Sequence, residues 1–453
     1  MMKKRKFRLS TTQIILLSFL ITILVGSMLL ALPISTKSRE AVPYLDALFM
    51  ATTSTCVTGL VTLPTVSTWS VFGQVVILIL IQIGGLGIIT IMSGLMLLLN
   101  QKMGISDRLL IQDAFNLNTM SGLVKFVKNV LLGTLMIEGI GALLYMFVFV
   151  PEFGAAGIWI SIFNSVSAFC NAGIDIVAEN SLCNYATNPL VNLVTSTLII
   201  LGGIGYIVWW DVIRVIRSRS QKNRRIFRYL TLHSKIAITI TAGLILGGAC
   251  LIFIFEYANP LTIGDMSLFD KIQVSLFQSV TTRTAGFATI PQENLTNASA
   301  TVSIILMLIG GSPVGTAGGM KTVTLAVLIC SALATIKNKN NATIFGRRIS
   351  EDSVKKAVAV AVTFLIICCT STVLLMATNT TTALDAVYET VSATATVGLS
   401  RNLTATLNAF GKFIIIVTMY FGRVGPISLA VALGSKNKSQ NVISEPTEDI
   451  SIG

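Results

Sequence analysis

Four passages that end in glycine recur along this 453-residue chain and align without gaps. They read Phe49-Met-Ala-Thr-Thr-Ser-Thr-Cys-Val-Thr-Gly59, Phe163-Asn-Ser-Val-Ser-Ala-Phe-Cys-Asn-Ala-Gly173, Leu276-Phe-Gln-Ser-Val-Thr-Thr-Arg-Thr-Ala-Gly286 and Tyr388-Glu-Thr-Val-Ser-Ala-Thr-Ala-Thr-Val-Gly398. Their glycines stand 114, 113 and 112 residues apart. A second glycine motif follows each passage: Gly84-Gly-Leu-Gly87, Gly202-Gly-Ile-Gly205, Gly310-Gly-Ser-Pro-Val-Gly315 and Gly422-Arg-Val-Gly425. Parallel copies in one chain imply four similar units around a central axis.

Each passage lies between apolar runs, near 14–32, 71–99, 126–150, 190–213, 236–255, 301–334, 356–377 and 410–433. A helix of about 20 apolar residues crosses a bilayer. Charged residues make up 12% of the chain, about half the share in an average soluble domain. That is too few to cover soluble surfaces of this length. The first run follows Lys3-Lys4-Arg5-Lys6 and exceeds the core of a signal peptide, so it reads as a first transmembrane helix.

Alternate connectors are basic: the N-terminus, Lys102 to Lys128, Arg214 to Lys235, Lys337 to Lys356, and the tail with Lys436 and Lys438. The others carry acids such as Glu152, Glu179, Glu256, Asp265, Asp270, Glu293 and Asp385. Both termini are therefore expected in the cytoplasm. The net charge of +13 has the same origin and does not point to nucleic acid. The basic connectors suit anionic membrane lipid or a regulator. Of the seven cysteines, Cys250, Cys330, Cys368 and Cys369 lie in apolar runs, so no disulfide framework is expected. The one histidine, His233, lies in a connector and offers little for metal or triad chemistry.

The expectation is an all-α integral membrane protein. It has four tandem helix–re-entrant pore loop–helix units, with eight spanning helices in pseudo-fourfold arrangement around a central pore. The units cover 1–100, 101–217, 218–340 (with a broken second helix) and 341–435, and a cytoplasmic tail follows at 436–453.

Irregular backbone survives at membrane depth only when it is buried in protein or lines water. Each glycine passage offers a hydroxyl-rich stretch suited to a short pore helix, then small residues that expose carbonyls. Four such ends on one axis would replace a cation's hydration shell. The candidate filter comprises Cys56, Val57, Thr58 and Gly59; Cys170, Asn171, Ala172 and Gly173; Arg283, Thr284, Ala285 and Gly286; and Ala395, Thr396, Val397 and Gly398. Cations would sit at the carbonyls of Val57, Thr58, Asn171, Ala172, Thr284, Ala285, Thr396 and Val397. The run Thr396-Val397-Gly398-Leu399 resembles the Thr-Val-Gly-Tyr run of potassium-channel filters.

Across nearly its whole length the chain resembles the Trk/Ktr/HKT superfamily of potassium transporters, in particular the KtrB-type membrane subunit. Ser279-Val-Thr-Thr-Arg-Thr-Ala-Gly286-Phe is similar to that family's third filter loop, and the eight runs fit the Ktr branch. The resemblance implies a bacterial plasma-membrane protein that takes up potassium ion. Glycine at all four filter positions implies potassium preference, since sodium-favouring plant relatives often place serine at the first. It also implies a homodimer on a cytosolic nucleotide-binding regulatory ring of KtrA/TrkA-like, RCK type. Nucleotide is then expected only on that partner, and no covalent cofactor.

The run Gly310, Gly311, Ser312, Pro313, Val314, Gly315, Thr316, Ala317, Gly318, Gly319, Met320, Lys321 cannot hold a regular helix. Met320, where a Walker loop needs glycine, excludes a phosphate loop. The resemblance makes this run an intramembrane gate. Lys321 and Arg423 either project into a cation pathway, pair with carbonyls of the broken helix or, for Lys321, snorkel outward; Arg423 is expected at the pore. Arg283 is expected to turn away from ions and to buttress the filter through a carboxylate such as Glu389. Glu138 has no assignable role, and Asp175 with Glu179 suits a cation-attracting mouth. Gly84, Gly202 and Gly422 serve either packing or kinking.

Potential-driven potassium uptake is the leading reading, possible sodium dependence included. A sodium- or proton-coupled secondary transporter is the alternative, although it calls for inverted repeats rather than these parallel ones. An intramembrane enzyme lacks its nucleophile, base and metal groups.

Overall fold

The computed structural model describes residues 11–99, 122–217, 226–339 and 341–425, with isolated positions between 104 and 112. The tail at 436–453, the last apolar run beyond 425 and most of the connectors at 102–121 and 218–225 lie outside the described residues. Almost all of the regular secondary structure in the described residues is helical. The first unit contains α1 (Thr11–Leu30), α2 (Tyr44–Cys56), α3 (Val71–Leu86) and α4 (Ile88–Leu98). The second contains α5 (Leu123–Phe153), α6 (Ala156–Cys170), α7 (Pro189–Gly203) and α8 (Tyr206–Arg217). The third contains α9 (Leu232–Glu256), α10 (Leu268–Thr281), α11 (Asn297–Leu308) and α12 (Thr322–Ile336). A two-stranded hairpin of β1 (Thr343–Ile344) and β2 (Arg347–Arg348) leads to the fourth, with α13 (Glu351–Thr378), α14 (Ala383–Ala395) and α15 (Ala409–Val424).

Helix α5 shows how sequence places these elements. Val127, Val130, Thr134, Glu138, Gly141, Tyr145 and Phe149 fall on one helical stripe and are buried. Leu132, Leu135, Met136, Ile140, Leu143 and Phe147 cover the opposite side and are exposed. A helix that presents leucine and phenylalanine outward is built for lipid. The buried stripe carries the polar and small residues that meet the neighbouring helices.

Among the described residues, four helices are long and apolar enough to cross a bilayer alone: α1, α5, α9 and α13. The sequence pointed to a broken second helix in the third unit only. The structure bends it in the first two units as well, by 96° between α3 and α4 and by 95° between α7 and α8. Counting each bent pair as one span brings the number to six, whereas α6, α11 and α12 are shorter apolar pieces. The described residues therefore do not form eight uninterrupted crossings.

The second glycine motif explains the bends and serves both suggested purposes. Gly87 and Gly205 take φ of +84° and +93° at the two kinks, and Gly425 takes +89° after α15. Glycine adopts such angles without the penalty of a Cβ. Three residues earlier, a Cβ on Gly84, Gly202 or Gly422 would run into the carbonyl oxygen of Thr55, Phe169 or Thr394. The second helix of each of these units thus rests directly on the end of its re-entrant helix.

The repeat extends to the outer helices. Gly26 packs on Leu80, Gly141 on Leu198 and Gly248 on Leu306, while Ser371 hydrogen-bonds Thr418 at 2.7 Å. Each partner stands four residues before Gly84, Gly202, Gly310 or Gly422. These contacts set the four units in register.

Candidate functional site: a four-glycine ring and the loop beneath it

Three re-entrant helices end in one hydrogen-bonded turn. The amides of Thr58, Ala172 and Val397 donate to the carbonyls of Thr53, Ser167 and Ser392, five residues back, each at 2.8 Å. This is a Schellman-type C-cap, which needs a left-handed residue at its corner. Val57, Asn171 and Thr396 fill that corner at φ of +56°, +59° and +52°. Such angles are strained for β-branched valine and threonine, so surrounding packing must impose them. The hydroxyls of Thr53 and Ser392 then accept from the amides of Gly59 and Gly398 at 3.0 Å.

The third passage departs from the gap-free alignment. Its amide from Ala285 bonds Thr281, four residues back, at 2.9 Å, and α10 ends at Thr281 rather than at Arg283. Thr281 rather than Val280 therefore takes the place of Thr53, Ser167 and Ser392. The turn is one residue shorter, although Thr284 keeps the left-handed corner at φ +70°.

The four passages meet in a closed ring. A Cβ on Gly59 would lie 2.6 Å from the carbonyl oxygen of Ala172, and one on Gly173 would lie 2.5 Å from that of Ala285. One on Gly286 would lie 2.5 Å from the oxygen of Val397, and one on Gly398 would overlap the oxygen of Thr58. The order runs from first unit to second, third, fourth and back to first. All four glycines have φ between +65° and +101°, so a side chain at any of them is strained and would force the neighbouring strand to shift. The carbonyls of Thr58, Ala172, Ala285 and Val397 are crowded around one axis. The C-terminal ends of the re-entrant helices, with their partial negative charge, converge on the same place. The buried hydroxyls of Thr58 and Thr396 have no hydrogen-bond partner among the described residues.

The run from Gly310 to Lys321 threads beneath this ring, on the side to which the re-entrant helices point. It closes on itself through Gly310 N–H to the Met320 carbonyl (3.0 Å) and Thr322 N–H to that of Gly311 (3.1 Å). It is also pinned to the bend of the second unit. Ser312 and Thr316 donate to the carbonyls of Gly203 and Gly202, at 2.8 and 3.1 Å, and Tyr206 donates to Val314 at 2.9 Å. The break in α7/α8 frees those carbonyls to act as acceptors. The Thr316 hydroxyl reaches the Phe169 carbonyl (3.1 Å), and the Gly318 amide reaches the Thr284 hydroxyl (3.2 Å). The loop therefore touches the ends of two re-entrant helices. A Cβ on Gly318 would lie 2.7 Å from the Ala395 carbonyl of a third.

A cavity of about 430 Å³ lies here, lined among others by Gly84, Tyr206, Gly315, Lys321 and Arg423. Arg423 donates to the Thr316 carbonyl at 2.6 Å and to the Gly84 carbonyl at 2.5 Å. It lines the cavity and also ties the loop to the first unit. Lys321 does not snorkel away; it donates to the carbonyls of Ala317 and Gly318 in its own loop.

Arg283 corrects the expectation of a carboxylate partner. Its guanidinium donates to the Gly310 carbonyl at 3.2 Å, so it links the third passage to the loop. Glu389 instead accepts from the hydroxyls of Ser400 (2.7 Å) and Thr404 in its own unit. Asp175 is buried beside the second passage, whereas Glu179 is exposed. The docking of the loop onto Gly202 and Gly203 was not anticipated. Its one sequence signal was the Gly-Gly-Ile-Gly run itself.

The chain matches the family model described as "TrkH: Cation transport protein" over residues 2–444. It is 40% identical to the potassium/sodium uptake protein NtpJ of Enterococcus hirae over 459 aligned residues, covering 100% of this chain and 99% of that one. It is 39% identical to the Ktr system potassium uptake protein B of Bacillus subtilis, with 95% of each chain covered. Its fold is similar to the crystal structure of the potassium transporter TrkH from Vibrio parahaemolyticus. That likeness has a TM-score of 0.75 and 17% identity, and covers 96% of this chain and 86% of the other.

Proposed function

The chain belongs to the TrkH family of cation transport proteins, and on that premise we propose that this multi-pass membrane protein takes up potassium through a channel-like pore. The observation that carries the reading is the closed ring of Gly59, Gly173, Gly286 and Gly398, with four carbonyls crowded around its axis where the re-entrant helix ends converge. Carbonyl oxygens at fixed spacing replace a cation's hydration shell, and helix dipoles favour its charge. The eight carbonyls from Val57 and Thr58 to Thr396 and Val397 form the filter. The loop at Gly310–Lys321, held by Arg423, is the gate below it.

Membrane potential drives the flux inward. Sodium acts as a second permeant or required ion, which the potassium/sodium name of the Enterococcus relative supports. The Ktr-system names of other relatives support a cytosolic regulatory subunit. The exposed basic hairpin at Arg347–Arg348 and the neighbouring connectors supply its docking side. Both termini lie in the cytoplasm of a bacterial plasma membrane, and a homodimer is the working assembly.

The test is uptake of radioactive rubidium into proteoliposomes under an imposed inside-negative potential, with potassium or sodium as competitor. Competition by potassium well ahead of sodium is expected. Equal competition by both ions would refute the potassium filter.

A further inference from the structure

The fourfold arrangement breaks behind the second filter strand, at Glu138. The register of the outer helices places this residue with Ile23, Ile245 and Cys368, each three residues before Gly26, Gly248 or Ser371. All four positions are buried, and Glu138 is the one carboxylic acid among them. A carboxylate there, inside a span, is costly unless it serves a purpose. It takes part in none of the ion pairs among the described residues.

Its partners are polar residues in two units. Gln82 of α3 donates to Glu138 Oε2 at 3.2 Å. The Cys170 thiol lies 3.8 Å from Glu138 Oε1 and 3.6 Å from Gln82 Oε1, within reach of a weak sulfur hydrogen bond to either. The Glu138 backbone carbonyl accepts from the Ser165 hydroxyl at 2.6 Å. Ser165 and Cys170 both belong to α6, and Cys170 is its last residue, immediately before left-handed Asn171. Glu138 thus grips the second re-entrant helix at two heights and joins its end to the first unit. Gln82 has no polar amide counterpart, since Ile200, Leu308 and Tyr420 occupy the matching places two residues before Gly202, Gly310 and Gly422.

We propose that Glu138 is a positioning residue for ion selectivity: through Cys170 and Gln82 it holds the end of α6 so that the carbonyls of Asn171 and Ala172 keep their place in the ring. The inference rests on the filter reading above. The ring admits no slack at this strand, because Gly173 already contacts Gly286 closely. A shift of a few tenths of an ångström at Cys170 therefore passes directly to the carbonyls that meet the ion.

The test compares Glu138→Gln, Glu138→Leu, Gln82→Leu and Cys170→Ala with the parent protein in proteoliposomes, reading the potassium-over-sodium flux ratio. Glu138→Gln keeps hydrogen-bonding capacity and is expected to keep the ratio within about twofold. Glu138→Leu, which is apolar like the isoleucines of the first and third units, is expected to lower it about tenfold, a change worth about 1.4 kcal/mol. A purely structural role would instead lower total flux or thermal stability with the ratio intact, and that result overturns the proposal. If Glu138→Leu fails to fold, Gln82→Leu and Cys170→Ala remove the same hydrogen bonds from the other side. An unchanged ratio in both would overturn it equally. Gly173→Ser distinguishes the two layers: if this change in the ring leaves the ratio intact, the filter reading itself fails.

Discussion

Replacing Arg423 by alanine should open the pore. The guanidinium makes two hydrogen bonds, at 2.6 Å to the Thr316 carbonyl of the loop and at 2.5 Å to the Gly84 carbonyl of α3. Hydrogen bonds to a charged group contribute about 1.5–3 kcal/mol each. The low end applies, because the freed carbonyls border a cavity of about 430 Å³ where water can replace the lost donor. If the loop is the gate proposed above, two bonds favour the arrangement seen here by about 3 kcal/mol, or about a hundredfold over a released loop. The remaining ties of the loop to Gly202 and Gly203 are unaffected, so the fold should survive. Lysine at 423 keeps the charge but cannot fork to two carbonyls in different units, and should fall between the two. The assay is rubidium uptake at matched protein incorporation, with thermal unfolding as a check on folding. Flux equal to or below that of the parent protein in Arg423→Ala would refute the clamp.

Four further outcomes follow from other parts of the structure. Lys412 and Asp46 form a largely buried pair at 2.5 Å that joins the fourth unit to the first. Lys412→Met should cost about 3–5 kcal/mol in unfolding stability, and adding Asp46→Asn should recover much of it. Gly202→Ala should lower the melting temperature, because its Cβ would strike the Phe169 carbonyl and lie 2.8 Å from Thr316 Oγ1. Gly243→Ala has nothing within 4 Å and should be neutral or stabilising by up to about 1 kcal/mol. At the outer end of α14, partial burial works against the Asp385 carboxylate. The Thr382 hydroxyl and the Arg401 guanidinium, each at 2.7 Å, outweigh it and hold the group below the usual carboxylate value. Its contribution is therefore complete above the unfolded value of about 4 and is lost as pH falls through the lower folded value. The melting-temperature gap between the parent protein and Asp385→Asn should close as the pH is lowered through that window.

The ring glycines were legible because an axis shared by four backbones strongly favours glycine, and that demand repeats at nearly equal spacing. The bends at Gly87 and Gly205 were not, since a Gly-Gly pair in an apolar run serves close packing and kinking alike, and here it does both. The shorter third turn was hidden because Val280 and Thr281 are adjacent and either can be matched to Thr53. Arg283 was misassigned a carboxylate because its acceptor is the Gly310 carbonyl, and a backbone group leaves no mark in sequence. Glu138 stood out as a charge in a span. Its purpose depends on Gln82 and Cys170, brought beside it only by the closure of the ring.

The most direct test of the account is the potassium, rubidium and sodium flux of Gly398→Ser against the parent protein in proteoliposomes. Gly398 has φ +98°, and a Cβ there would overlap the Thr58 carbonyl and lie 2.8 Å from the Gly59 Cα. Selective potassium and rubidium flux in the parent, with sodium admitted far more readily in the variant, is the expected result. An unchanged ion preference in a folded, conducting variant would contradict the carbonyl ring as the filter.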